Sequence, residues 1–461
     1  MKGMKGLDIR AVVHCTKGDF HGIQDSMSEK IKSITTDSRQ VEPGALFIAI
    51  KGERVDGHNY IKQAFEKGAA AVVGERLIDC SGPYILVESS FRAVGAIAEY
   101  YRRQLSIPMV GITGSVGKTS TKEMVASVLS RKYYLLKTAG NFNNELGVPF
   151  TLFRIRQEHQ LAVIEMGISD FGEMHRLTNM VKPNAVILTN IGSCHLENLK
   201  SRDGVLQAKT EIFDSLCEDG KVFCNGDDDK LITIKEVNGK APIFFGLEKH
   251  NQVRAEHIEN LGLEGRRCTI ITPMGNIQAT IPIPGNHMIY NALAAAAVGL
   301  HYGLSLEQIK EGIEGAQSVS GRFHLIHANN YTVIDDCYNA NPVSMKASLD
   351  VLETALGRKV AILGDMFELG EKEEELHYQV GQYAAGKNIN LFICIGKLSK
   401  KLAEGIKAEN GMIDNKKILI YETKEQWMEE KDATLQKGDT ILVKASHGME
   451  FSKVVEVLTE Q

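Results

Sequence analysis

The chain has 461 residues, 43% of them hydrophobic and 24% charged, with a formal net charge of −5. At ~100–200 residues per domain that leaves room for two to four ordinary globular domains, and the mild negative charge excludes a nucleic acid held by bulk electrostatics. None of the eight cysteines forms a C-x-x-C pair. The N-terminus lacks a continuous apolar core, and no run of ~18 apolar residues occurs. Reduced thiols, a cytoplasmic location and no membrane insertion are the expectation.

Three zones of different texture follow in order. In residues 1–106 short strands and helices mix: a strand at 44–50, a helix at 60–68, an apolar run at 69–73 and a helix at 91–105, broken by Ile107-Pro108. From residue 107 to 316 short buried strands at 109–113, 161–164, 185–188 and 221–224 alternate with helices. One helix spans 118–132 and an alanine-rich one 287–301. That alternation predicts a mostly parallel sheet covered on both faces. Ser305 and Gln308 form a capping box for a helix ending near Gly315. From 317 to 461, strands at 331–334, 359–363, 391–395, 417–420 and 440–443 alternate with helices, a Rossmann-like pattern without the G-x-G-x-x-G fingerprint. The predicted fold is therefore α/β in three domains, 1–106, 107–316 and 317–461.

Thr113-Gly114-Ser115-Val116-Gly117-Lys118-Thr119-Ser120 joins a strand to a helix. Its glycines let backbone N–H groups converge on phosphate oxygens at a helix N-terminus. Lys118 adds a full charge, and the Thr119 hydroxyl can reach a Mg²⁺ ion. Ile112 stands where the common phosphate-loop pattern has its first glycine, so ordinary kinases and GTPases fit less well. A glycine-rich turn before a helix is the plain alternative. Glu165 ends an apolar strand, either as a solvated charge or as a carboxylate facing a ligand crevice. His195 lies in N-I-G-S-C-H-L-E after the next strand, and Lys209 would pass for one more surface lysine.

The shortened loop T-G-S-V-G-K-T resembles that of the Mur ligase family, which includes folylpolyglutamate synthases. Gly140 to Pro149 (G-N-F-N-N-E-L-G-V-P), Asp335 to Pro342 (D-D-C-Y-N-A-N-P) and Leu363 to Gly370 (L-G-D-M-F-E-L-G) resemble its D-alanyl-D-alanine-adding branch. The resemblance spans nearly the whole chain and implies an ATP-dependent ligase using two Mg²⁺ ions. The tripeptide carboxylate of a UDP-N-acetylmuramoyl-tripeptide would attack the γ-phosphate, and D-Ala-D-Ala would then attack the acyl phosphate.

The resemblance also implies roles. Thr119, Glu165, His195 and a carbamylated Lys209 would hold the metals. Lys118 and Arg322 would neutralise phosphate charge, and Asn291 would meet the adenine. Asp336 would contact the nucleotide from the C-terminal domain, with Asp335 leaving the register open. Ser38, Arg39, Lys51, Asp56 and His58 would bind the UDP-sugar. A short D-S-R segment can equally be a capped turn. Residues 107–316 would bind ATP, and 317–461 would bind the dipeptide and close over ATP. A monomer is expected. Ala445 and His447 depart from the family's K-G-S-R, which puts any role of that arginine in doubt. The rivals are a sibling ligase adding a single amino acid and a non-catalytic nucleotide-binding protein.

Overall fold

The computed structural model describes residues 3–52, 55–78, 82–409 and 417–460. Glu53, Arg54 and Cys80 lie outside the described residues. Among the described residues three sheets, of five, nine and six strands, carry a mixed α/β fold that is mostly parallel. The chain forms two compact units: 1–113 with 133–187 and 208–221, and 114–132 with 188–207 and 222–461.

In the first unit, strands Asp19–His21, Tyr84–Leu86, Ala71–Gly74, Ala45–Ile48 and Ser33–Thr35 lie side by side in that order. Only the Asp19–His21 edge runs antiparallel. The inner strands Ala45–Ile48 and Ala71–Gly74 are buried at every position, because a parallel sheet covered on both faces leaves no polar side. Met109–Thr113, Leu161–Glu165 and Leu135–Lys137 are parallel neighbours, and Ile112 sits opposite Glu165. The register therefore brings the ends of two buried strands level.

In the second unit, Val253–Asn260, Arg266–Thr272 and Gly275–Ile281 form an antiparallel meander that the sequence reading did not anticipate. The alanine-rich helix His287–His301 and the capping box of Ser305 with Gln308 are both present as expected. The six-stranded sheet runs His324–His327, Thr332–Asp335, Thr440–Lys444, Lys359–Gly364, Leu391–Ile395, Lys417–Tyr421, and only its first strand is antiparallel. Its core holds Trp427, Phe451 and the inward valines and isoleucines of these strands. The seven described cysteines are free thiols. Among the described residues no helix is long and apolar enough to cross a membrane.

His287 opens the alanine-rich helix with its ring 4.5 Å from that of Phe323. Its Nε2 is buried with no partner among the described residues. Burial pushes its pKa down from 6.5 to about 4; nearby Asp336 opposes this, and Lys444 and Arg266 reinforce it. The unfolded chain takes up this proton near pH 6.5 and the folded chain only near 4. The neutral ring's contribution to stability is thus whole above about 6.5 and shrinks as pH falls towards 4, by up to ~1.4 kcal/mol per pH unit. Urea midpoints at pH 7 and pH 5 should therefore lie closer together in His287→Phe than in the parent chain.

Candidate active site

Strand Met109–Thr113 delivers the chain into the loop, and the helix Lys118–Leu129 begins at once. Gly117, at φ 83°, occupies the N-cap and offers no side chain to the helix's first N–H groups. Those donors and the helix dipole make an anion cradle. The Lys118 ammonium curls back to donate to the Gly114 carbonyl at 2.9 Å. Thr119 is 3% exposed, and the Thr113 Oγ1 is buried with no hydrogen-bond partner among the described residues.

The loop is stapled to the segment after the strand Ala185–Leu188. The Asn190 Oδ1 accepts from the Val116 N–H at 2.9 Å, its Nδ2 donates to the Val116 carbonyl at 3.0 Å, and the Ser115 N–H donates to the Asn190 carbonyl at 3.0 Å. Thr189 donates to the same Val116 carbonyl, and the Gly192 N–H donates to the Ser115 hydroxyl. Asp228 and Arg202 hold this segment from behind, through the N–H and carbonyl of Ile191. His195 follows at φ 51°, with Nδ1 3.3 Å from Glu368 Oε2.

The helix Lys118–Leu129 also meets the second helix the sequence singled out. The Thr121 hydroxyl donates to Asn291 Oδ1 at 2.8 Å, so the predicted adenine contact is tied to the loop's own helix. A cleft lined by Ser120, Met124, Met288, Gln317 and Arg322 lies along it. The Arg322 guanidinium stacks 4.1 Å from the Tyr338 ring, whose other neighbour is the His447 ring at 5.5 Å. It has no carboxylate partner among the described residues, which leaves its donors available for phosphate.

Asp336 faces inward. Its carboxylate accepts from Lys444 Nζ and the Ser348 hydroxyl, each at 2.6 Å, and from the Phe323 N–H. Asp335 accepts from the N–H of Gly321 at 2.7 Å. Both aspartates thus anchor the segment that carries Arg322.

In the first unit, Glu165 is fully buried and accepts from Asn143 Nδ2 at 2.8 Å. Lys209, on helix Arg202–Thr210, is 1% exposed, so it is no ordinary surface lysine. Among the five UDP-sugar candidates, Ser38 donates to Gln63 and Arg39 pairs with Asp37, which caps the turn. His58 Nδ1 lies 2.7 Å from Asp56 and its Nε2 accepts from the Glu75 N–H. Lys51 is exposed and pairs by its backbone with Asp56. Sequence reasoning gave no role to Asn143, Asn190, Tyr338 or Glu368. All four lie inside motifs it quoted, but only tertiary contact shows their partners.

Three family models match in chain order: "Mur ligase family, catalytic domain" at 30–110, "Mur ligase middle domain" at 112–299 and "Mur ligase, glutamate ligase domain" at 321–447. The UDP-N-acetylmuramoyl-tripeptide–D-alanyl-D-alanine ligase of Bacillus subtilis is 36% identical over 438 residues, 93% of each chain. The chain belongs to the Mur ligase family. A crystal structure of MurF from Acinetobacter baumannii superposes with a TM-score of 0.90 at 33% identity over the whole of both chains. The MurF ligase of Thermotoga maritima in complex with ADP gives 0.80 at 28% identity, over 92% of this chain and 96% of that one.

As a Mur ligase, the chain depends on the close approach of its loop to Thr189. Gly114 has φ 153°, and a Cβ there would lie 1.9 Å from the Thr189 Oγ1. In Gly114→Ala, isothermal titration should show ADP affinity weakened about ten- to hundredfold, the scale of enforced backbone strain, while far-UV circular dichroism stays unchanged.

Proposed function

We propose that this chain is an ATP-dependent ligase joining D-alanyl-D-alanine to UDP-N-acetylmuramoyl-tripeptide, a cytoplasmic step in building peptidoglycan precursor. The observation that carries the reading is the 36% identity to the Bacillus subtilis enzyme of that name across 93% of both chains. The stapled phosphate loop supports it, since a nucleotide-using active site is what such a loop builds. The Thermotoga maritima relative bound to ADP supports ATP as the co-substrate.

A carboxylate carbon is a poor electrophile, so the tripeptide carboxylate first takes the γ-phosphoryl group of ATP. Phosphate is then a leaving group, and the dipeptide amine displaces it to form the amide. Lys118 and the loop N–H groups hold the phosphates. Arg322, fixed on Tyr338, meets charge as it moves between phosphate oxygens. Asn291 faces the adenine from a helix already bonded to Thr121, and Asp335 and Asp336 keep Arg322 in place.

Among the described residues no three His, Cys, Asp or Glu side chains form a ready-made metal cluster. Mg²⁺ keeps several waters and substrate oxygens and adds one or two carboxylates. Thr119 and Glu165 offer hard oxygens, with His195 as a further ligand. When bound, Mg²⁺ screens the phosphate oxygens from the incoming carboxylate. Lys209, carbamylated by CO₂, would supply an anionic oxygen from a buried position. The proposed division is 1–106 for the UDP-sugar, through Ser38, Arg39, Lys51, Asp56 and His58, then 107–316 for ATP. Residues 317–461 bind the dipeptide and close over ATP, in a chain that acts as a monomer.

The decisive assay is phosphate release with ATP, Mg²⁺, UDP-N-acetylmuramoyl-tripeptide and D-Ala-D-Ala, omitting each in turn. Release requiring all four, with a product heavier by one dipeptide less water, is expected; release with a single amino acid instead would make the chain a sibling ligase. Lys118→Ala should lower kcat/KM about 10²–10³-fold. Activity should fall on stripping dissolved CO₂ and return with bicarbonate, and Lys209→Ala should show no such recovery.

A further inference from the structure

The motif Leu363 to Gly370 has no part in the chemistry described so far, yet the fold places it with unusual care. Strand Lys359–Gly364 ends in a loop whose successive residues are each pinned. Asp365, 6% exposed, accepts from the N–H and hydroxyl of Ser399 at 2.7 and 2.8 Å. The Met366 N–H donates to Nε2 of fully buried His377 at 2.9 Å, and the Phe367 N–H donates to the Ser446 hydroxyl at 2.8 Å. The next residue is Glu368, held at φ 62°, a left-handed conformation that costs a side-chain-bearing residue about 1 kcal/mol or more.

The product of these anchors is an exposed carboxylate whose Oε2 lies 3.3 Å from His195 Nδ1. His195 is itself at φ 51°, on the segment stapled to the phosphate loop. Glu368 is 69% exposed, and solvent-screened pairs of this kind contribute ~0–1 kcal/mol. Stability therefore does not explain the strained backbone and the three anchors.

A role in substrate binding does. The groups assembled around the loop, Lys118, Arg322 and the helix N-terminus, all favour anions. A dipeptide acceptor arrives with a positive ammonium group, whose nitrogen gives up a proton to water before it attacks the acyl carbon, and until then it needs an anion among those cations. We infer that Glu368 binds the acceptor's ammonium group and sets its nitrogen beside the reacting carboxyl. Phe367, partly exposed and covering Gly448, supplies an apolar wall next to it for a small side chain such as a methyl group.

This inference rests on the ligase reading, and the experiment separates the two. The parent chain is assayed first with UDP-N-acetylmuramoyl-tripeptide, ATP, Mg²⁺ and D-Ala-D-Ala; no ligation there overturns the ligase reading and the inference with it. Where the parent ligates, Glu368→Gln should raise KM for D-Ala-D-Ala about ten- to hundredfold, the weight of a charge-assisted hydrogen bond. KM for ATP and the Mg²⁺ requirement should not move, and Glu368→Asp should recover part of the loss. Because Glu368 is exposed, both variants should melt with the parent. An unchanged dipeptide KM, or a change in ATP KM or Mg²⁺ requirement instead, would overturn the assignment of Glu368 and leave the ligase reading standing.

Discussion

An ammonium and a carboxylate, both withdrawn from water, meet at 2.6 Å between Lys444 and Asp336. Lys444 is 2% exposed and Asp336 5%. Burying either charge alone would cost several kcal/mol, so each is tolerable only in the presence of the other. Lys444 also donates to the Asn339 carbonyl, and Asp336 also takes the Ser348 hydroxyl and the Phe323 N–H. One pair thus ties neighbouring strands Thr332–Asp335 and Thr440–Lys444 to the segment entering the C-terminal sheet. Arg322 lies in that segment and Tyr338 just past the aspartates, so the stack that aims the guanidinium inherits its position from a buried ion pair.

The loop from Thr113 to Thr119 obeys a parallel logic with neutral groups. A loop that must present N–H groups to an anion cannot satisfy them all internally, and a loop left loose would lose entropy on every binding event. Asn190 resolves this by taking the Val116 N–H and carbonyl together through one amide, an arrangement that fixes the turn without covering the helix N-terminus. The same segment then leads to His195. Loop geometry and histidine placement are therefore one constraint rather than two.

What was legible in the sequence is what depends on local chemistry. The loop, the helix His287–His301 and the capping box at Ser305 announce themselves by glycine placement, helical period and side-chain reach. The meander of Val253–Ile281 does not, because Arg254, Glu256, Glu259, Arg266 and Arg267 interrupt its apolar pattern and only strand pairing reveals it. Site residues divide in the same way. The strand-end position of Glu165 was legible. The burial of Lys209 was not, since one helix face is distinguished from another only by what packs there. The motif around Asp336 stood out in the sequence, while its inward attachment to Lys444 depends on a residue 108 positions away.

Departure from a family pattern is also readable physically. His447 stands where the resemblance led to an arginine, and its ring lies 5.5 Å from Tyr338. An arginine there would bring a second permanent cation towards the Tyr338 ring that already carries Arg322 at 4.1 Å. A planar imidazole keeps the aromatic neighbour without a fixed charge. The stack then has one permanent cation, Arg322. Tyr338 is the member on which both contacts converge, so an imidazole at 447 keeps the packing on that ring.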